Sequence, residues 1–231
     1  MRRIALFFSL ILLTLESASA QDAMTLVKKL KAKLDKIQDY EASGILKTDV
    51  SFIKIPISNV EIYYKRPDHF KIKKEGGISI LPKGGVSVNI ISLLESDQFA
   101  AVSAGNARIG NTPVSVVKLI PLSEDAHIVL TTLYIDETNL LVLKAITTTK
   151  ENGTYEMEMT YGKYAASGLP DKVIFIFSTR DYKLPKGVTF EYEGAEKPQT
   201  TDEKTQEKKG KIQITYNSYA INKGISDKIF E

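Results

Sequence analysis

No cysteine occurs in the 231 residues, and that absence removes several function classes at once. A disulfide framework, a catalytic thiol, thiolate metal ligands and an acylated N-terminal cysteine all require the residue, so the chain is not expected to be a lipoprotein itself. Tryptophan is also missing, and the two histidines, His69 and His127, stand far apart with no carboxylate at a metal-ligand spacing. The glycine pairs at Gly76 and Gly84 lack the Lys-Ser or Lys-Thr of a phosphate loop, and no G-x-S-x-G elbow occurs. An enzyme, a metal site and a cofactor are therefore not expected. Long apolar runs are absent after residue 20, where nothing approaches the roughly 20 apolar residues of a membrane-spanning helix. Charge of one sign is scarce too. Removing residues 1–20 takes two Arg and one Glu from 31 basic and 28 acidic residues, leaving 29 against 27. A balance that close to neutral does not point to nucleic acid, whose binders carry a clustered basic face.

The first twenty residues have the three parts of a secretory signal: Arg2 and Arg3, an apolar run from Ile4 to Leu15, and Ala18-Ser19-Ala20 as a small-x-small cleavage site. The expectation is export to the periplasm with cleavage after Ala20, leaving one domain over residues 21–231. Asp22 to Gln38 reads as an amphipathic helix. Leu26, Val27, Leu30, Leu34 and Ile37 recur at spacings of one, three and four, while Lys28, Lys29, Lys31, Lys33 and Lys36 take the other face.

Everything after Tyr40 reads as strands separated by turn residues, with Asn152-Gly153 the sharpest hairpin signal. The strand segments include Phe99–Ser103, Gly85–Leu94 and Val188–Tyr192, and short connections imply antiparallel pairing. In Thr154–Tyr164, Tyr155, Met157, Met159 and Tyr161 alternate with polar residues, giving one apolar and one wet face. The run Val173-Ile174-Phe175-Ile176-Phe177 is apolar on both sides, as a strand covered twice would be. One helix cannot cover the broad apolar face of about eleven strands. The expected fold is thus mainly β: a single curved antiparallel sheet forming an unclosed half-barrel, with the N-terminal helix on its concave face. Residues 194–210, GAEKPQTTDEKTQEKKG, have almost no apolar content and read as a mobile polar loop.

The stretch VEIYYKRPDHFKI, from Val60 to Ile72, puts a guanidinium at a strand end. Pro67 stops the strand, and Arg66 shares its parity with Val60, Ile62 and Tyr64, so its donors need acceptors near the apolar side. A rim arginine with its head in water would satisfy the same pattern.

Leu34-Asp35-Lys36-Ile37 followed by Tyr40 and Ala42, then Lys65-Arg66-Pro67 followed by Phe70, resembles the LolA/LolB family of lipoprotein carriers in order and interval. The resemblance implies an unclosed β-barrel with helical lids, an arginine at the position of Arg66 latching barrel to lid, and transport of lipoprotein acyl chains toward the outer membrane. Ile90–Phe99 is the candidate for a mid-chain lid helix. The residues expected to line a hydrophobic cavity are Leu26, Leu30, Leu34, Ile62, Tyr64, Phe70, Ile72, Tyr155, Met157, Met159 and Tyr161. The partners implied are acyl chains or lipid and membrane-anchored donor and acceptor proteins, with the carrier a monomer and no nucleic acid involved. Two other readings stay open: a periplasmic lipid-sensing domain that binds a protein partner, and a structural envelope protein whose interior is filled by its own side chains.

Overall fold

A computed structural model describes residues 22–49, 57–74, 91, 94, 98–178 and 209–230. Residues 1–20, expected to be a secretory signal, the strand expected at Val188–Tyr192 and residues 194–208 of the polar stretch lie outside them.

Helix α1 covers residues 22–34. Val27, Leu30 and Leu34, with Ile37 just beyond, are buried along one side, and Leu26 is half-buried beside them. Each such side chain contributes about 1.5–3 kcal/mol when fully withdrawn from water, so this stripe rather than intrinsic propensity holds the helix in place. The helix ends four residues before the sequence pattern does. Ile37 donates its N–H to Leu34 O at 3.0 Å, tightening the last turn, and the Gln38 N–H is taken by the Asn222 side chain at 2.8 Å, which directs the chain into the first strand.

Ten strands follow: β1 (Asp39–Asp49), β2 (Ser58–Lys65), β3 (His69–Lys74), β4 (Phe99–Ile109), β5 (Thr112–Pro121), β6 (Ile128–Asp136), β7 (Leu141–Thr149), β8 (Thr154–Thr160), β9 (Lys172–Ser178) and β10 (Lys209–Ile221). They form one antiparallel sheet in the order β3-β2-β1-β10-β9-β8-β7-β6-β5-β4. Among the described residues β3 and β4, consecutive in sequence, are its opposite edges, so the sheet is unclosed. The last strand returns to pair with the first, from Tyr40 against Ile221 to Asp49 against Lys211.

Several expectations need correction. The strand count is not among them, since ten strands lie in the described residues and the one expected at Val188–Tyr192 lies outside these. Of the segment Gly85–Leu94, the two described residues are not extended: Ile91 is helical and Leu94 lies in a turn, its N–H on Ile91 O at 3.0 Å, and both are buried. Strand β4 runs on to Ile109 instead of stopping at Ser103. Ala104 and Gly105 look like a turn, but Gly105 takes φ +85°, which lets the pair stand opposite the single residue Val116, one residue in excess, while pairing resumes at Asn106. The polar stretch ends at residue 208, because Lys209 and Gly210 already belong to β10. Strand β9 is not covered on both sides. Ile174 and Ile176 are half-buried, and their cross-strand neighbours on the outer face are Glu158 and Gln213, and Glu156 and Lys211. The stems of such long polar residues can shield an isoleucine without a second layer.

Register explains how one face becomes the core. Val117, Leu133, Ala145, Met157, Phe175 and Ile212 are successive cross-strand partners from β5 to β10, and all are buried. On the other side of β10, Tyr219, Ala42, Ile62 and Ile72 form a second row, and Ile221, Tyr40, Tyr64 and Phe70 a third. The rows continue across parity changes because register shifts skip Asn217 in β10 and Leu143 in β7. A one-residue shift reverses the face of every following side chain, so both Tyr216 and Tyr219 turn inward.

Candidate functional site

The eleven residues expected to line a cavity fall in one place. Leu30, Leu34, Ile62, Tyr64, Tyr155, Met157 and Met159 are in a single buried cluster, and Leu26, Phe70, Ile72 and Tyr161 are partly buried against it. Helix α1 contributes Ala23, Val27, Leu30 and Leu34 to the same cluster, opposite the rows of the sheet. The interface between helix and sheet is therefore a continuous apolar interior. Its polar content is low: Thr131 and Thr147 share a hydroxyl–hydroxyl hydrogen bond of 3.1 Å, both fully withdrawn from water. A hollow of about 360 Å³ lies among Glu41, Ser43, Glu61 and Ser218 on β2, β1 and β10, with Ala42, Tyr219 and Ala220 also in its lining. Among the described residues, no group of three His, Asp or Glu side chains sits together as metal ligands would.

The helix is fastened to the sheet at its C-terminal end by a set of polar contacts that we call the clasp. Arg66 Nη2 donates to Asp35 Oδ1 at 2.9 Å, and the Arg66 N–H donates to Gln38 O at 2.9 Å. Arg66 thus reaches from the end of β2 to the turn that ends α1. Its side chain is one-fifth exposed, so the guanidinium is not a freely solvated rim group. Asn222, at φ +55°, accepts from Gln38 N–H and donates through Nδ2 to Lys36 O at 2.8 Å. One side chain after the last strand therefore satisfies groups left open at the helix terminus. Asp39 answers it, accepting from the N–H groups of Lys223 and Gly224 at 3.0 and 3.1 Å.

Two further contacts were invisible in the periodicity. Lys33 counts as a solvent-facing residue in the helical pattern, yet its Nζ donates to Asn139 O and Ala165 O, each at 2.8 Å, bridging the β6–β7 turn and the short 3-10 helix Ala165–Ser167. Burial lowers its ammonium below the usual lysine range, against the opposing pull of Asp136. Gly168, at φ +77°, closes that 3-10 turn directly over Leu34, and a β-carbon there would stand 2.8 Å from Leu34 Cδ2.

Aromatic rings fill the space beneath the clasp. Tyr219 stacks on Tyr216 at 4.8 Å between centroids, meets Tyr164 edge-on at 4.9 Å and Tyr40 at 5.3 Å, and Tyr40 lies 5.3 Å from Tyr64. Two phenols donate to the backbone, Tyr219 to Pro170 O at 2.8 Å and Tyr161 to Val142 O at 2.9 Å, and the Tyr164 phenol accepts from the Tyr219 N–H at 3.3 Å. Burial pushes the Tyr40, Tyr161, Tyr216 and Tyr219 phenols well above the usual range. Of this group the sequence reading had only Tyr64 and Tyr161. Tyr40 was visible as part of a motif, but Tyr216 and Tyr219 lie on the two sides of a bulge.

The outer face is different in kind. Tyr63 is buried there under Lys73, whose Nζ lies 5.0 Å from the ring centre, and donates to Glu61 at 2.9 Å. Burial, then the bond to Glu61, pushes its phenol up to about 12. Of the two histidines, His69 packs its ring 5.2 Å from Phe230, and His127 is exposed.

No protein-family model and no curated protein matches the sequence. Solved structures do match the fold. A DUF1329 family protein from Desulfovibrio piger superposes with a TM-score of 0.58 at 11% identity, over 92% of this chain and 97% of that one. An outer membrane lipoprotein-sorting protein domain from Vibrio parahaemolyticus gives 0.57 at 10% identity, again over 92% and 97%. A LolA superfamily protein from Nitrosomonas europaea gives 0.54 at 11%, over 89% of this chain and 97% of that one. At these identities the likeness is one of fold: the chain has the architecture of LolA-type and lipoprotein-sorting domains along nearly its whole length.

Proposed function

We propose that the protein is a periplasmic carrier that shelters the acyl chains of lipoproteins, or lipid, between helix α1 and the sheet and delivers them toward the outer membrane. The observation that carries this reading is the unbroken apolar row from Val117 to Ile212 facing the helix stripe of Val27, Leu30 and Leu34. An acyl chain gains about 0.8 kcal/mol for each CH₂ withdrawn from water, so one long chain needs shelter worth on the order of 10 kcal/mol in transit. An interior lined almost entirely by hydrocarbon and aromatic side chains supplies it without a charge requirement.

In the described arrangement the helix side chains occupy the interior. Cargo enters by replacing them, apolar contact for apolar contact, as the helix shifts from the sheet. Such an exchange needs two states close in free energy, which the ligand then biases through its differential affinity. Arg66 is the latch in this scheme, because its bond to Asp35 is made in the closed state. The chain acts without chemistry on its cargo, with membrane-anchored proteins as donor and acceptor.

Mass spectrometry of the solvent extract of the purified protein tests the reading. The expected result is acylated polypeptide or long-chain lipid in a defined ratio to protein. Retrieval of a membrane-anchored signalling protein with no acyl ligand would replace the carrier by a sensor, and an extract without either would leave a structural role.

A further inference from the structure

The exposed large apolar residues are not scattered. Ile45, Ile57, Val102, Ile120, Leu122 and Val129 are the ones exposed among the described residues, and each lies in the part of its strand nearer the end where β1 finishes, or just outside it. The clasp end, where β1 begins, has none among the described residues. Four of the six gather on three adjacent strands. Val102 in β4 pairs with Lys118, Ala100 pairs with Ile120, Leu122 follows β5, and Val129 sits at the register shift that opens β6. Leu122 is 67% exposed and Ile57, at the start of β2, 65%. Isolated exposed apolar residues need no explanation, but a set confined to one end of a sheet does.

Charge at that end favours one kind of partner. Among the described residues Lys47, Lys73, Lys118, Lys150, Lys209 and Lys211 are exposed there, against the carboxylates of Asp49, Glu61, Glu124, Asp125 and Glu151, with Lys73 and Glu61 cross-strand partners and Lys150 Nζ on Glu124 O. Aliphatic side chains beside exposed lysines are the composition that settles into a headgroup region of negative charge. The geometry agrees. The two groups, on β1–β2 and on β4–β6, are separated in the sheet by β10 to β7. A single side-on protein contact meets one of them, whereas a flat surface presented to that end meets both.

We propose that the end of the sheet opposite the clasp is a docking surface for an anionic lipid bilayer, with Ile120 and Leu122 entering the headgroup layer and the lysines meeting lipid phosphate. It stands apart from the carrier reading, since a surface that rests on a membrane need not be the site that holds cargo.

The absence of tryptophan makes the test clean. Leu122→Trp places the only indole in the proposed contact, and Lys223→Trp places it at the exposed clasp end. Each variant is purified after export, its N-terminus is fixed by mass spectrometry, and it is titrated with phosphatidylethanolamine–phosphatidylglycerol vesicles and, separately, with pure phosphatidylcholine vesicles. The expected result is a blue shift for Leu122→Trp on the anionic vesicles that weakens with salt, with Lys223→Trp unchanged. Vesicle flotation of the otherwise native chain should lose about tenfold in bound fraction when Ile120→Ser and Leu122→Ser are combined. No shift, equal shifts at both ends, or equal binding to phosphatidylcholine overturns the proposal. A shift that rises with protein concentration in the absence of vesicles also overturns it, in favour of a second copy of the chain. Uptake of an apolar dye, measured on the same variants, separates the two readings: vesicle binding lost from the Ile120→Ser, Leu122→Ser chain with uptake intact is the expected result, whereas a native chain that takes up dye but binds no vesicles sinks the docking surface and leaves the carrier standing.

Discussion

At the clasp end the side chains of Asn222, Asp39 and Lys33 each serve two or three backbone groups, and Arg66 joins the end of β2 to the Asp35 carboxylate and, through its N–H, to Gln38 O. At the other end the same sheet shows bare aliphatic side chains to solvent among the described residues, and the polar contacts there join neighbouring turns: Thr149 accepts from Asn152 N–H in the β7–β8 hairpin, and Lys150 donates to Glu124 O and His127 O in the β5–β6 connection. The contrast shows how one apolar interior can be both secure and accessible. Directional bonds at one end fix where the helix leaves the sheet, and the non-directional apolar stripe lets the rest of it exchange neighbours at small cost. If the account is right, damage at the clasp should cost stability or release, whereas damage at the apolar end should cost contact with partners.

The largest effect is expected where helix and clasp meet. Leu34 is buried under Gly168, and Leu34→Ala should lose about 2–5 kcal/mol in denaturant unfolding by the large-to-small rule. A loss below about 0.5 kcal/mol would mean that the helix does not depend on this contact.

Alkali should act next, and mainly at the clasp. The folded-state values of Tyr40, Tyr216 and Tyr219 are raised above the ordinary 10.0, and that of Tyr63 to about 12. A raised value means that the fold prefers the neutral phenol. The stabilisation is therefore complete below pH 10 and is lost as pH climbs from 10 toward 12 and beyond. Stability measured across that range should fall, with phenolate absorbance appearing together with unfolding. Full titration of every tyrosine near pH 10 with the fold intact would contradict the packing described for the clasp.

Asn222 offers a sharper division. Asn222→Ala removes both helix-end bonds and puts a β-carbon residue at φ +55°, for an expected cost of about 1–2 kcal/mol. Asn222→Gly relieves the backbone and should cost less, the difference between the two measuring conformation apart from hydrogen bonding. Equal losses would show that the bonds alone matter.

Arg66→Leu should be smallest in stability, about 0.5–1 kcal/mol, because Asp35 is 42% exposed and solvent screens the pair. Its effect on function has a sign. Removing the latch adds apolar surface and weakens the empty closed state, so ligand uptake should be at least as good as in the native chain and transfer to an acceptor poorer. Unchanged transfer would reject the latch.

Much of this architecture was legible because its signals are local. The alternation of Tyr155, Met157 and Met159 gives a face directly, and the spacing of Leu30, Leu34 and Ile37 gives a helical stripe. What escaped was long-range or broke a period. Asn222 serves backbone groups more than 180 residues away, and no local pattern marks it. The parity change at Asn217 hides the inward turn of Tyr219, since alternation alone assigns Tyr216 and Tyr219 to opposite faces. Lys33 was misjudged for another reason: helical periodicity describes direction around the axis, and a long side chain leaving the polar side can still bend to carbonyls on neighbouring turns. The residues expected to line a cavity came together because each lies on the helix stripe, on a regular strand or just past one, on the same side of such irregularities as its neighbours. Their use in binding is a further step that burial alone does not supply.

That step is tested most directly by equilibrium titration of the purified chain with an environment-sensitive apolar dye, followed by competition with long-chain acyl ligands. The account predicts saturable dye uptake, displacement that strengthens with acyl length, and loss of uptake when Met157, at the centre of the inner row, is changed to Asp in a variant shown to remain folded. A chain that takes up no dye, or whose dye is indifferent to acyl ligands, would contradict it and leave the interior as a closed core.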